Sequence, residues 1–215
     1  MGRLKRDKPN SFEEWLLCRH KRGIGGSEAA AIVGVSKWMT ANELWQIKTG
    51  QKERKDISDN PLVAQGHRME SGIRELYISY HPEYKVKYHP YELLYQSDRP
   101  WLFATLDGEI YTEDKRKGVL EIKTSTPQSK ADWDNWNCQI PDQYMVQLLH
   151  QMLASGFDFA DLVALLINKD RDFVIRTYHF ERADYEEDLN WLLKKEEEFW
   201  KSIQNRTLPP MTLVI

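Results

Sequence analysis

The sequence predicts an α/β fold: a central mixed β-sheet flanked by helices. Three observations carry that expectation. Helical and strand periodicities alternate along the chain, which is the pattern of a sheet covered by helices. Of the 215 residues, 41% are apolar, with eight tryptophans, enough to bury one sizeable core. No linker, repeat or low-complexity run interrupts the pattern, so residues 1–215 are expected to form a single domain.

The elements follow in order. Phe12 to Arg19 reads as a short helix, with Ser11 as N-cap and Glu14 completing a capping box. Gly23-Ile24-Gly25-Gly26 then turns into an alanine-rich helix for which Ser27 is the expected N-cap. Thr40 and Gly50 bracket a helix over Ala41–Lys48, and the polar stretch 51–60 is a loop. From Pro61 to about Tyr80, Met69, Ile73, Leu76, Tyr77 and Tyr80 recur three or four residues apart, as on one helix face. Strand patterns follow at 84–88, 92–95, 102–111 and 119–124, and the charged, glycine-ended turn 112–118 makes the last two a hairpin. A helix over 141–155 stops at Gly156; strands at 162–167 and 173–180 and a long amphipathic helix from Arg182 to about Gln204 complete the chain.

Composition narrows the function classes. No apolar run reaches the ~18 residues that would span a bilayer, and the basic N-terminal segment lacks the hydrophobic core of a secretory signal. Cys18 and Cys138 are isolated, which excludes a disulfide framework or a cysteine zinc site and fits a reducing, cytoplasmic setting. The net charge of −3 hides an uneven distribution. Residues 181–200 hold eight acidic side chains against three basic, whereas residues 1–22 hold seven basic against three acidic. One surface is thereby suited to a polyanion and another turned away from it.

The chemistry resides in an acidic constellation. Glu121 and Lys123, two apart on a strand, leave the same face. Alone, that pair reads first as the solvated polar face of an amphipathic edge strand, since such alternation is the usual strand pattern. Asp107, with Gly108, interrupts an otherwise apolar strand, as a bulge residue or a ligand would. A turn centred near Asp114 or Lys115 sets Asp107 opposite 121–123. Two carboxylates so placed repel unless a cation neutralises them, and hard oxygen ligands favour Mg²⁺ or Mn²⁺ over zinc. Glu70 lies at the inner edge of its helix's apolar stripe, either as a boundary charge or an inward ligand. Gln147 lies beside Leu148 in an apolar helix, either as a core amide or a site residue.

The order Glu70, Asp107, Glu121-x-Lys123, Gln147 on helix, strand, strand and helix resembles the PD-(D/E)xK nucleases, whose core is that of restriction endonucleases. More narrowly, Trp15…Arg19…Gly23-Ile24-Gly25-Gly26-Ser27-Glu28, Glu43-Leu44-Trp45, Lys48-Thr49-Gly50, Gly66…Glu70, Asp107-Gly108, Leu120-Glu121-Ile122-Lys123 and Tyr144…Gln147…His150-Gln151 resemble the phage lambda exonuclease group, the YqaJ-type viral recombinases. The resemblance covers roughly residues 12 to 156. It implies Mg²⁺-dependent 5′→3′ exonucleolysis of linear double-stranded DNA, exposing a 3′ single strand for recombination. It further implies a homotrimeric ring and a single-strand annealing protein as partner. Asp107, Glu121, the Ile122 carbonyl and Glu70 would hold two Mg²⁺ ions, Mn²⁺ being an alternative. Lys123 would orient the attacking water, with Gln147 supporting it. Ser27, at a helix N-terminus, and a guanidinium would bind a 5′-phosphate. Counting from Trp15 that guanidinium is Arg19; counting back from Ser27 it is Arg22. The rival readings are a structure-specific or restriction-type endonuclease and an inactive DNA-binding scaffold.

Overall fold

The computed structural model describes residues 2–56 and 59–209. Two mixed sheets form its centre. The first runs in the order β1 (Leu4–Asp7), β4 (Leu93–Gln96), β5 (Arg99–Ala104) and β2 (Ile24–Gly25). The second runs β3 (Lys85–Lys87), β6 (Gly108–Tyr111), β7 (Lys117–Ser125), β8 (Phe159–Ile167) and β9 (Phe173–Glu181). Around them lie helices α1 (Phe12–Arg22), α2 (Gly26–Ile32), α3 (Ala41–Lys48), α4 (Pro61–Tyr80), α5 (Lys130–Asp134), α6 (Asp142–Ser155) and α7 (Glu186–Asn205), the last preceded by a 3₁₀ turn at Arg182–Tyr185.

The continuous apolar run of β8 is buried along nearly its whole length. It pairs in parallel with β7, and parallel strands covered on both faces need such a run. On one side α6 delivers Leu148, Leu149 and Met152 to the largest core cluster; on the other α4 delivers Ile73 and Tyr77 against Ile110, Leu120 and Phe159.

Two expectations are corrected. The run 102–111 is not one strand, because the chain leaves the first sheet after Ala104 and enters the second at Gly108. The cause lies at Asp107. Its carboxylate accepts the Ile122 N–H at 2.8 Å, and its carbonyl accepts Arg74 Nε at 2.6 Å, so side-chain partners replace the ladder there. Nor is Ser27 an N-cap. Gly25 occupies that position, and Glu28 reaches back to its N–H at 3.0 Å, which leaves the Ser27 hydroxyl free for another role. Gly23 permits the approach to this helix, since a Cβ there would run into the Trp101 carbonyl. Sequence patterning also passed over β1, whose charged Lys5, Arg6 and Asp7 mask an antiparallel pairing with β4.

Candidate active site

The β6–β7 hairpin builds the site. Gly108 pairs with Leu120 and Tyr111 with Lys117, so the turn lies at 112–116 and the next residue outward, Asp107, faces the Glu121–Ile122 stretch. Strand alternation then puts Glu121 and Lys123 on one face, with Lys123 Nζ in an ion pair to Glu121 Oε1. Gln147, one turn before Gln151 on α6, donates to the same oxygen, and Gln151 Nε2 donates to Glu121 Oε2 at 2.6 Å. Glu70 enters from α4 through Arg74, which binds its carboxylate at 2.9 Å while holding the Asp107 carbonyl.

Charge at this spot is unbalanced. Burial, then the like charges of Glu121 and Glu70, push the Asp107 carboxyl well above the usual carboxylate range, and neither Lys123 nor the Ile122 N–H offsets them. Burial opposes the charge on Lys123 too, yet Glu121 and Asp107 overcome it and hold the group as an ammonium. Hard oxygen donors around a deficit of positive charge fit a divalent cation such as Mg²⁺ or Mn²⁺.

A second group assembles around the start of α2. Arg19 NH2 reaches the Ser27 hydroxyl at 3.5 Å, and its guanidinium lies 4.5 Å above the Trp15 ring. Arg19 makes no ion pair among the described residues. Arg22 turns elsewhere, to an ion pair with Asp7 and a position 4.1 Å over the Tyr95 ring. The structure therefore brings Arg19 to Ser27 and takes Arg22 away.

Several neighbours of the site, most of them within the family-resembling segments, were given no role by the sequence reading. Buried Glu28 binds Lys48 at 2.8 Å and also Arg54, which places two more cations beside Arg19 and Ser27. Gln151 is 1% exposed, and its Oε1 has no hydrogen-bond partner among the described residues. Buried His150 spans Glu196 on α7 (Nδ1 at 2.7 Å) and the Phe103 carbonyl (Nε2 at 2.9 Å), fixing the helix that carries both glutamines. A Cβ on Gly26 would lie 3.4 Å from the Gln147 and Gln151 side chains, so the basic group and the carboxylate group share one α6 face. Four-residue spacing between Gln147 and Gln151 was the available signal for the second glutamine. Lys48 belonged to a family-resembling segment, but its pairing with Glu28, 20 residues away, and that of Arg54, 26 away, had no local signal.

Residues 14–158 match the family profile described as the YqaJ-like viral recombinase domain. The curated protein YqaJ of Bacillus subtilis (strain 168) is 30% identical over 209 residues, spanning 92% of this chain. The chain spans only 58% of that relative's length. Among solved structures, an alkaline exonuclease from Laribacter hongkongensis superposes with a TM-score of 0.59 at 18% identity, over 90% of this chain and 97% of that one. A phage-related exonuclease from Haemophilus somnus does so with a TM-score of 0.56 at 13% identity, over 86% and 96%. At such identities the likeness extends to the α/β nuclease fold.

Proposed function

This chain belongs to the YqaJ-like viral recombinase domain family, and from that premise we propose that it is a metal-dependent 5′→3′ exonuclease acting on linear double-stranded DNA in the cytoplasm, leaving a 3′ single strand for recombination. The observation that carries the reading is half-buried Asp107 against buried Glu121, beside Lys123 and short of compensating positive charge. Asp107, Glu121, the Ile122 carbonyl and Glu70 would hold two Mg²⁺ ions. When bound, these ions supply the positive charge that stabilises the attacking and leaving oxygens of a phosphodiester.

The remaining roles belong to the chain's own groups. Lys123, kept protonated by its two carboxylates, orients a water and favours its hydroxide form. Gln147 and Gln151 each donate to one oxygen of the Glu121 carboxylate and so fix its orientation. Arg19 and the Ser27 hydroxyl take the terminal 5′-phosphate, whose extra charge distinguishes an end from the interior of a strand. A homotrimeric ring would hold the DNA during repeated cleavage, with the acidic α7 outward and a single-strand annealing protein receiving the product.

Linear and covalently closed duplex DNA, each with Mg²⁺ and with EDTA, test this. Loss of the linear form alone, abolished by EDTA, is expected; cutting of the closed circle would make the protein an endonuclease. Arg19→Ala should erase a preference for 5′-phosphorylated over 5′-hydroxyl ends, and Arg22→Ala should keep it.

A further inference from the structure

An aromatic surface runs between the two groups of the site. Phe12, at the start of α1, lies 5.5 Å from Trp15 and 6.3 Å from Tyr91, and Trp15 and Tyr91 are themselves 6.3 Å apart. Tyr88, three residues before Tyr91, lies near enough for the two hydroxyls to act on each other. Phe12 is 49% exposed, Tyr88 44% and Tyr91 39%. Rings gathered into one partly exposed patch beside a charged site are the kind of apolar surface that contact sites use.

Each end of this surface is tied to the site by an arginine. Arg74, which holds Glu70 and the Asp107 carbonyl, stacks 3.8 Å over Tyr88. Arg19, which reaches Ser27, stacks 4.5 Å over Trp15. Charges at Glu70, Arg74 and Asp107 all act on the Tyr88 hydroxyl, as does Tyr91, which sets that ring beside the carboxylates. Tyr91 holds a left-handed φ of 62°. A bulky residue keeps that conformation only where its surroundings enforce it.

We propose that Phe12, Trp15, Tyr91 and Tyr88 form a stacking platform for unpaired nucleobases of the strand led from the Arg19–Ser27 corner to the carboxylates. Every base has a π face, so such a platform grips a strand without reading its sequence. The inference rests on the nuclease reading and adds a base-dependent contact that phosphate recognition does not supply.

The test uses the full chain in EDTA, so that binding is read without cleavage. Anisotropy is measured on a labelled, 5′-phosphorylated duplex whose terminal three nucleotides are unpaired thymidines, and on the same duplex with abasic residues there. The wild type should prefer thymidine by about tenfold, from about 1.4 kcal/mol of stacking. Phe12→Ala with Tyr91→Ala should remove that preference and leave abasic binding and the circular dichroism spectrum unchanged, whereas Phe12→Tyr with Tyr91→Phe should keep it. A wild type that binds both duplexes equally while still cleaving DNA in Mg²⁺ overturns the platform and leaves the nuclease standing. A double alanine variant that changes molecular size and not base preference would make the surface an interface between copies, which also overturns it. If the wild type neither binds nor cuts DNA, the nuclease reading falls and the platform with it.

Discussion

Two acidic clusters meet β6 only two residues apart, and they are compensated in opposite ways. Around Glu109, His89 and Glu92 bring three possible ligand atoms within 4.8 Å of one another, the tighter metal-like geometry of the two. Arg6 of β1, however, pairs with both carboxylates there, donating to Glu109 Oε2 at 2.9 Å, and Lys8 lies 3.2 Å from Glu92. Burial alone would raise the Glu109 carboxyl, but hydrogen bonds from Arg6 and Tyr111 bring it below its usual value. Around Asp107 the partners of Glu121 are two neutral amides and one ammonium, and the Asp107 carboxyl rises. Proximity of ligand atoms and compensation of charge thus point to different clusters. In one, a guanidinium meets the charge and ties two sheets together; in the other, the positive charge falls short, as suits a divalent cation.

The sharpest way to break this comparison is to remove carboxylates from each side. Asp107→Asn and Glu121→Gln should each lower DNA cleavage by about a thousandfold or more, as loss of metal-borne charge in the transition state requires. Glu109→Gln should leave the rate within about threefold of wild type. Steady-state cleavage of linear duplex decides it, and a dead Glu109→Gln with a live Asp107→Asn would exchange the roles of the two clusters. Next in size is Arg6→Met, which strands two buried carboxylates and should cost about 3 kcal/mol of stability. The depressed Glu109 pKa gives stability that is present above its unfolded pKa and lost as pH falls through its folded one. Denaturant melts of wild type should therefore weaken on acidification, and Arg6→Met should weaken less.

How much of this could be read beforehand depends on the range of the interaction. The bounds of α3 and α4 follow from caps and periodicity within each segment, and the structure keeps them at Ala41–Lys48 and Pro61–Tyr80. Asp107 opposite Glu121 was equally legible, because a charged turn sets hairpin register and register sets the pair. The break after Ala104 was not. It depends on Arg74 and Ile122, which periodicity within 102–111 does not contain. Arg6 was hidden for the same reason, lying 86 and 103 residues from the carboxylates it joins. That Arg19 and not Arg22 lies against Ser27 depends on a partner, Asp7 on the unforeseen β1, and not on helix spacing.

A smaller effect separates amide support from guanidinium support. Gln151→Leu removes the donor to Glu121 Oε2 together with an amide oxygen that has no partner among the described residues, so stability should change by less than about 1 kcal/mol. Cleavage should fall about tenfold and the Mg²⁺ concentration at half-maximal rate should rise, since ligand orientation depends on such outer contacts. Gln151→Asn, with a shorter reach, should not rescue it. An unchanged Mg²⁺ titration would make Gln151 a packing residue.

The last prediction sets the two clusters against each other on one pH axis. A carboxyl whose folded pKa is raised penalises folding once it must ionise, so in EDTA the Asp107 cluster should lose stability as pH rises from the unfolded value, about 3.9, through the folded one. This slope is opposite in sign to that of Glu109. Asp107→Asn should flatten it, since the amide oxygen can still accept the Ile122 N–H without ionising. Mg²⁺ should restore most stability where Asp107 is ionised, because the ion takes the place of the missing positive charge and expels the proton. Thermal melts across pH, with EDTA and with Mg²⁺, read this directly; for a chain of this length about 1 kcal/mol appears as roughly 2–4 °C. The Mg²⁺-induced rise should grow with pH in wild type and be small and flat in Asp107→Asn. If Mg²⁺ instead shifts both proteins equally at every pH, it binds elsewhere, and the unbalanced charge at Asp107 has another purpose.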